Sequence, residues 1–226
     1  IQWRGIEQMF VDLLERPEWI HGALERITQG HLNHIDRLER LGVLSPGNGN
    51  TMLGSGGYGW TDELPQPGSG NGRVRLKDLW ARAATQIFTD GISPQMHDEF
   101  AIQYERRLLG RFGLSCYGCC EPLDKRWHII RDIPRLRRVS VSPWADLSLM
   151  SEYLNAEYIF SLKPAPSQLA LPELDEEEVR GNLRNSIRAT KSNFVELIMK
   201  DNHTLGGNPH NATRWVEIAR EEIGNI

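Results

Sequence analysis

Apolar residues recur along this chain at two spacings, and the switch between them outlines a fold. Ile6, Met9, Phe10, Leu13 and Leu14 fall at helical spacing and make one apolar face. Pro17 opens a second helix at a position where a missing N–H costs little. Its stripe runs through Ile20, Ala23, Leu24, Ile27, His31, Ile35, Leu38 and Leu41 and stops at Gly42. Residues 45–73 are rich in Gly, Pro, Ser and Asn, with one short strand predicted at Thr51-Met52-Leu53. Helical spacing resumes at Leu76, Leu79, Trp80 and Ala83. Ser93-Pro94 supplies an N-cap and a first-turn proline to a further helix. There Met96, Phe100, Tyr104, Leu108 and Phe112 recur every four residues, and Gly113 marks the end.

Beyond Gly113 strands and helices alternate. Strands are predicted at Leu114–Tyr117, Arg138–Ser142, Tyr158–Leu162 and Val195–Met199. Leu147, Met150 and Leu154 mark one intervening helix. Asp175 caps another, with Glu178 at the capping-box position and Val179, Leu183, Ile187 and Thr190 on its face. Pro209 opens the last, with Ala212, Trp215, Val216, Ala219 and Ile223 inward. Short apolar strands separated by helices mean parallel βαβ units. The expected class is α/β, a (β/α)8 TIM-barrel-like fold of about five β/α units behind two leading helices, in a single domain, 1–226. An eight-stranded barrel usually takes about 250 residues. The pattern therefore predicts part of a barrel, completed by further chain or by a partner, or else an open sheet. Uncovered strand edges favour association, so a homodimer or a longer chain is expected.

Composition narrows the class. The 226 residues are 39% hydrophobic, enough for a sizeable core. A net charge of -4 offers no basic excess for nucleic acid. The apolar runs are too short to span a membrane, and no signal peptide is indicated. Cys116, Cys119 and Cys120 are the chain's 3 cysteines. An odd, clustered set fits reduced thiols in a cytoplasmic protein better than a disulfide framework.

In parallel α/β folds, functional groups gather where strands end. That rule selects the glycine segment Gly54–Gly59 with Asp62 and Glu63, the stretch Tyr117–Glu121, Ser142-Pro143-Trp144, Lys163-Pro164, and Lys200–His203. Gly56, Gly57 and Tyr58 are candidate substrate-binding positions, because such a run needs positive φ or a close approach. It lacks the Lys-Ser/Thr of a phosphate loop. Asp62 and Glu63 could serve as general base and orienting group, or simply form a turn before Pro65. Lys163 and Lys200 either hold an anionic small-molecule substrate or snorkel at the rim. Trp144 either stacks on a ligand or plugs the strand ends. Tyr117, Glu121 and Asp201 complete the candidate catalytic set. Thiolates are soft zinc ligands and nucleophiles. Cys119 or Cys120 with His203 gives two of the three protein ligands of a catalytic zinc, and Glu121 or Asp201 could supply the third. The alternative is that the cysteines only fill space beside a strand.

Several of these stretches resemble the uroporphyrinogen decarboxylase superfamily, which also includes corrinoid-linked methyltransferases. They are Ile92-Ser93-Pro94 and the helix to Phe112, Tyr117-Gly118-Cys119-Cys120, Ser142-Pro143-Trp144, Lys163-Pro164-Ala165-Pro166 and Lys200-Asp201-Asn202-His203-Thr204. The Gly54–Pro65 segment resembles a subgroup of uncharacterised relatives. The likeness covers nearly the whole chain but only the later strands of the family barrel. It implies a TIM barrel with its site at the strand carboxyl ends. In the methyltransferases, a His-x-Cys element and a Cys after the last strand hold zinc. Tyr117-Gly118-Cys119 stands at the first place, with Tyr for His, and His203 stands near the second. The implied reaction is methyl transfer from a corrinoid on a partner protein to a zinc-bound thiol. The alternative is decarboxylation of a tetrapyrrole, in which a histidine near the last strand lies at the porphyrinogen site, a location His203 also matches. The decarboxylases' amino-terminal arginine motif is not found in these residues. A third expectation is a non-catalytic barrel fragment acting as a binding module.

Overall fold

The computed structural model describes residues 4–54, 57–69, 72–86 and 91–225. Two helices lead, α1 (Ile6–Glu15) and α2 (Pro17–Leu41). The strands are β1 (Trp80–Ala83), β2 (Leu114–Tyr117), β3 (Leu136–Val141), β4 (Ile159–Leu162) and β5 (Phe194–Leu197). They form one 5-stranded sheet in sequence order, and every neighbouring pair is parallel. Helices fill the crossovers, as parallel pairing requires. These are α3 (Pro94–His97) and α4 (Gln103–Leu109), then α5 (Trp127–Ile130), α6 (Leu147–Leu154) and α7 (Glu176–Ala189), with α8 (His210–Gly224) after β5. The chain is thus a mixed α/β protein of repeating β/α units, as its alternation predicts.

Local signals set most boundaries. Gly42 ends α2 in the left-handed conformation, at φ 68°. The side chain of Ser93 accepts from the Met96 amide, and that of Asp175 accepts from the Glu178 amide. Between α3 and α4 the helix widens into a π-helical stretch, Asp98–Ile102. Apolar residues every four positions outrun a 3.6-residue turn, and the wide turn absorbs that drift. The helix stops at Leu109 rather than at Gly113. The Gly113 amide bonds instead to the carbonyl of Leu79, at 2.9 Å, leading into the sheet.

Two expectations are corrected. Thr51-Met52-Leu53 is not a sheet strand. Met52 makes an isolated antiparallel bridge with Tyr58, so the segment folds back on itself as a small hairpin. The first sheet strand is Trp80–Ala83, where helical spacing had suggested a helix. Only Leu76–Asp78 turns, as a single 3-10 turn. Four apolar residues fit a helix face or a turn running into a strand equally well, and pairing with β2 decides between them.

Strand alternation gives the sheet two faces. On one, Tyr117, Val139, Val141, Phe160 and Leu162 pack with Ile102, Leu109, Met150 and Leu154 of the helices. Arg82, Cys116, Arg138, Ser140, Ser161 and Glu196 alternate with these residues and belong to the opposite face. Beside the sheet, α7 and α8 bury Val179, Leu183, Trp215 and Ile218 together. Arg214 clamps Glu176 with two bonds of 2.7 Å, which ties the two helices at their ends. Among the described residues no helix is long and apolar enough to cross a membrane.

Phe160 is fully buried at the centre of the helix face. Phe160→Ala should cost about 3–5 kcal/mol of stability, visible as a lower midpoint in urea unfolding. An unchanged midpoint would contradict this packing.

Candidate functional site

The face of the sheet turned away from the helices is polar and organised around Glu196 on β5. Its Oε1 lies 2.9 Å from Arg138 Nε, and it accepts a 2.5 Å hydrogen bond from the Ser161 hydroxyl. Lys163, directly after β4, donates to the same hydroxyl at 2.5 Å. Lys163 is 2% exposed and Arg138 is 3% exposed. Arg138 also lies over the Trp80 ring, 4.9 Å from its centroid. Its Nη1 has no hydrogen-bond partner among the described residues, nor does Arg82 Nε. Burial lowers the Lys163 pKa to about 8, and Lys200 and Arg138 act in the same direction against Glu196. Cys116, on the same face, has its thiol pushed up to about 11 by burial.

The glycine hairpin covers this face. The Arg138 guanidinium donates to the Tyr58 carbonyl at 2.8 Å, and the Trp80 indole donates to the Gly59 carbonyl at 3.0 Å. Gly57 has φ 87°, and a Cβ there would lie 2.9 Å from Glu196 Oε1 and 3.0 Å from Arg138 Cζ. The run of glycines thus permits a positive φ and a close approach to buried charge. Gly56, named as a substrate-binding candidate, lies outside the described residues.

At the strand carboxyl ends, Cys119 and Cys120 follow β2 with their sulfurs 3.3 Å apart. The turn that carries them is fastened through its backbone. Arg82 donates to the Gly118 carbonyl at 3.0 Å, Ser140 to that of Cys119 at 3.0 Å, and Ser142 to that of Cys120 at 2.7 Å. From beyond β5, the Lys200 ammonium reaches Cys120 Sγ at 2.9 Å, Cys119 Sγ at 3.3 Å and Asp201 Oδ2 at 2.5 Å. Cys120 donates to the same carboxylate oxygen at 3.0 Å. Burial and the Asp201 carboxylate push the Cys120 thiol up to about 11, against the pull of Lys200. Contacts with Cys120 and Lys200 lower the Asp201 pKa. Burial works to lower the Lys200 pKa, but Asp201 and the two thiols outweigh it and raise it.

The sequence candidates therefore fall into groups. Cys119, Cys120, Lys200 and Asp201 meet at the rim, and Lys163 stands on the polar face that leads to it. His203 is exposed beyond them. Glu121 is half-buried after the cysteines. Tyr117 points the other way, into the helix layer, where it donates to Glu105 Oε2 at 2.9 Å. Burial and Glu105 raise its pKa well above the usual phenol value. Glu63 pairs with Arg137 at 2.6 Å, and Arg137 stands at the start of β3. Glu63 and its neighbour Asp62 therefore sit at the amino ends of the strands, away from the thiols. A sheet strand at Thr51-Met52-Leu53 would place them at the rim, and the hairpin puts them at the opposite end. Trp144 is 77% exposed and plugs nothing. The side chain of Tyr58 is also exposed.

Among the described residues no group of three or more His, Cys, Asp and Glu side chains is placed to hold a metal ion. The Lys200 ammonium occupies the point where the two sulfurs and the Asp201 carboxylate converge, so the rim as built does not fit zinc. Arg82, Arg138, Ser140, Ser161 and Glu196 lie within the strands, so the rule that selects residues just past strand ends does not reach them. The signal was there: Arg138, Ser140 and Ser142 alternate with Val139 and Val141, and Ser161 and Lys163 flank Leu162. A buried parallel strand is normally apolar throughout, so period-two polarity within one marks a lined interior. No protein-family profile, curated protein or solved structure matches this chain.

Two outcomes test this geometry. Lys163 binds its proton less tightly folded than unfolded, near pH 8 against 10.5. Its burial penalty is therefore full below pH 8 and fades as pH rises towards 10.5. Lys163→Met should stabilise the protein at pH 7 by roughly 1–3 kcal/mol, and urea melts across that window should show the gain shrinking. A pH-independent difference would contradict the shift. Gly57→Ala should destabilise by about 1–3 kcal/mol, and wild-type stability would mean that the hairpin is not held against Arg138.

Proposed function

We propose that this chain forms the later strands of a (β/α) barrel enzyme of the uroporphyrinogen decarboxylase type, and that it removes a carboxylate from a small-molecule substrate as carbon dioxide. The observation that supports this is the concentration of cations on the polar face, the buried Arg138 and Lys163 and the half-buried Arg82, with Lys200 at the rim. A guanidinium fork suits a carboxylate, and Arg138 Nη1 and Arg82 Nε have no hydrogen-bond partner among the described residues. With a pKa of about 8, Lys163 carries its proton at neutral pH yet gives it up readily. As the carbon–carbon bond breaks, its electron pair stays on the substrate carbon and takes the Lys163 proton. Solvent returns a proton to the amine, which Ser161 and the Glu196 carboxylate hold in place. The fixed cations stabilise the charge on the substrate without reorganising. A tetrapyrrole bearing several carboxylates is the substrate class this reading favours. A cytoplasmic setting suits the reduced thiols, and a homodimer suits the uncovered strand edges.

The test is anaerobic incubation of the intact protein with uroporphyrinogen, reading carbon dioxide release. Turnover is expected, and Arg138→Met should lower kcat/KM by about 100-fold while the protein stays folded by circular dichroism. Absence of carbon dioxide from the wild-type protein would defeat the proposal.

The thiol pair favours a second reading, methyl transfer from a corrinoid on a partner protein to a thiol acceptor. Zinc could join this chemistry only if Lys200 gave up its place at the rim. Metal analysis of anaerobically purified protein tests the idea. Absence of zinc, together with unchanged methyl transfer when Cys119 and Cys120 both become Ala, would remove it.

A further inference from the structure

We infer that Cys119 and Cys120 form a thiol–disulfide exchange site whose co-reactants are low-molecular-weight disulfides. The inference goes beyond the decarboxylase reading and does not depend on it.

The geometry carries it. The two sulfurs are already 3.3 Å apart, and both side chains are partly exposed. Cys116 is only 3% exposed, beneath them on the polar face, so a dissolved reagent meets two thiols and not three. Arg82, Ser140 and Ser142 anchor the turn at main-chain oxygens, those of Gly118, Cys119 and Cys120, while Gln86, Lys200 and Asp201 touch the sulfurs. The sulfurs can therefore rotate into a bond while those anchors stay in place. Lys200 Nζ, 3.3 Å from Cys119 and 2.9 Å from Cys120, favours negative charge on sulfur, and with the Cys120 thiol pushed up by burial and Asp201 the attacking thiolate falls to Cys119. Asp201 accepts a hydrogen bond from Cys120, which holds that sulfur beside Cys119. The peptide between the two cysteines is trans. Adjacent Cα atoms then lie about 3.8 Å apart, closer than the usual disulfide span. A bond between such neighbours is readily reopened by thiols, which suits exchange better than permanent cross-linking.

The exchange balances in two steps. The Cys119 thiolate attacks one sulfur of the small disulfide, forming a mixed disulfide and expelling one thiolate. Cys120 then attacks Cys119 Sγ, closing the Cys119–Cys120 bond and expelling the second thiolate, which takes up the Cys120 proton. Two protein thiols are oxidised and one disulfide is reduced to two thiols.

Oxidised glutathione is the probe. The whole protein is incubated with it, quenched with a maleimide under denaturing conditions, and measured by intact mass and peptide mapping. The expected product lacks two hydrogens, carries no glutathione, takes up a single maleimide at Cys116, and reverts in excess reduced glutathione. Cys120→Ser should stop at the mixed disulfide, with glutathione retained on Cys119. Lys200→Met should slow oxidation on the order of tenfold. Stable glutathione on the wild-type protein, a bond through Cys116, or thiols that stay reduced would each overturn the inference. Carbon dioxide release is read separately, so failure of the exchange and failure of the decarboxylase reading are distinguishable.

Discussion

Everything on the polar face depends on one carboxylate. Glu196 meets Arg138 directly and Lys163 through the Ser161 hydroxyl, so a single negative charge is shared by two buried cations. Removing Glu196 would leave two cations uncompensated in a poorly solvated place. The hairpin follows from this arrangement, because spare Arg138 hydrogen-bonding capacity meets the Tyr58 carbonyl. The lowered Lys163 pKa follows as well, since one carboxylate does not offset burial beside other cations.

The interior and the rim are also mechanically joined. Arg82 and Ser140 point from the polar face into the turn after β2, where they hold the carbonyls of Gly118 and Cys119. The thiol pair is thus positioned by the same strands that carry the buried charge. A change in packing beneath the sheet's polar face would be felt at the sulfurs, even though Cys119 and Cys120 lie at its outlet.

Much of this fold was legible in the residue pattern. Helices α1, α2, α7 and α8 announce themselves through long apolar stripes and caps at Gly42 and Asp175. Strands β2 to β5 stand out as short apolar runs between helices. The first strand did not, because Leu76, Leu79, Trp80 and Ala83 satisfy helical spacing over a window too short to distinguish a helix from a turn and strand. That misreading also carried Asp62 and Glu63 to the wrong end of the sheet. At the site, Cys119, Cys120, Lys163, Lys200 and Asp201 were found by looking just past the strands. Arg138 and Glu196 were missed because their role arises from pairing across strands β3 to β5, a relation between distant positions that one strand's pattern does not display.

The hairpin is hooked by Arg138 and Trp80 at main-chain oxygens, those of Tyr58 and Gly59. Neither hook tests which side chain stands at those positions. The exposed rings of Tyr58 and Trp60 could therefore be exchanged through evolution while the attachment persists. The covering can diversify its outward chemistry over a fixed ionic floor without the scaffold being rebuilt.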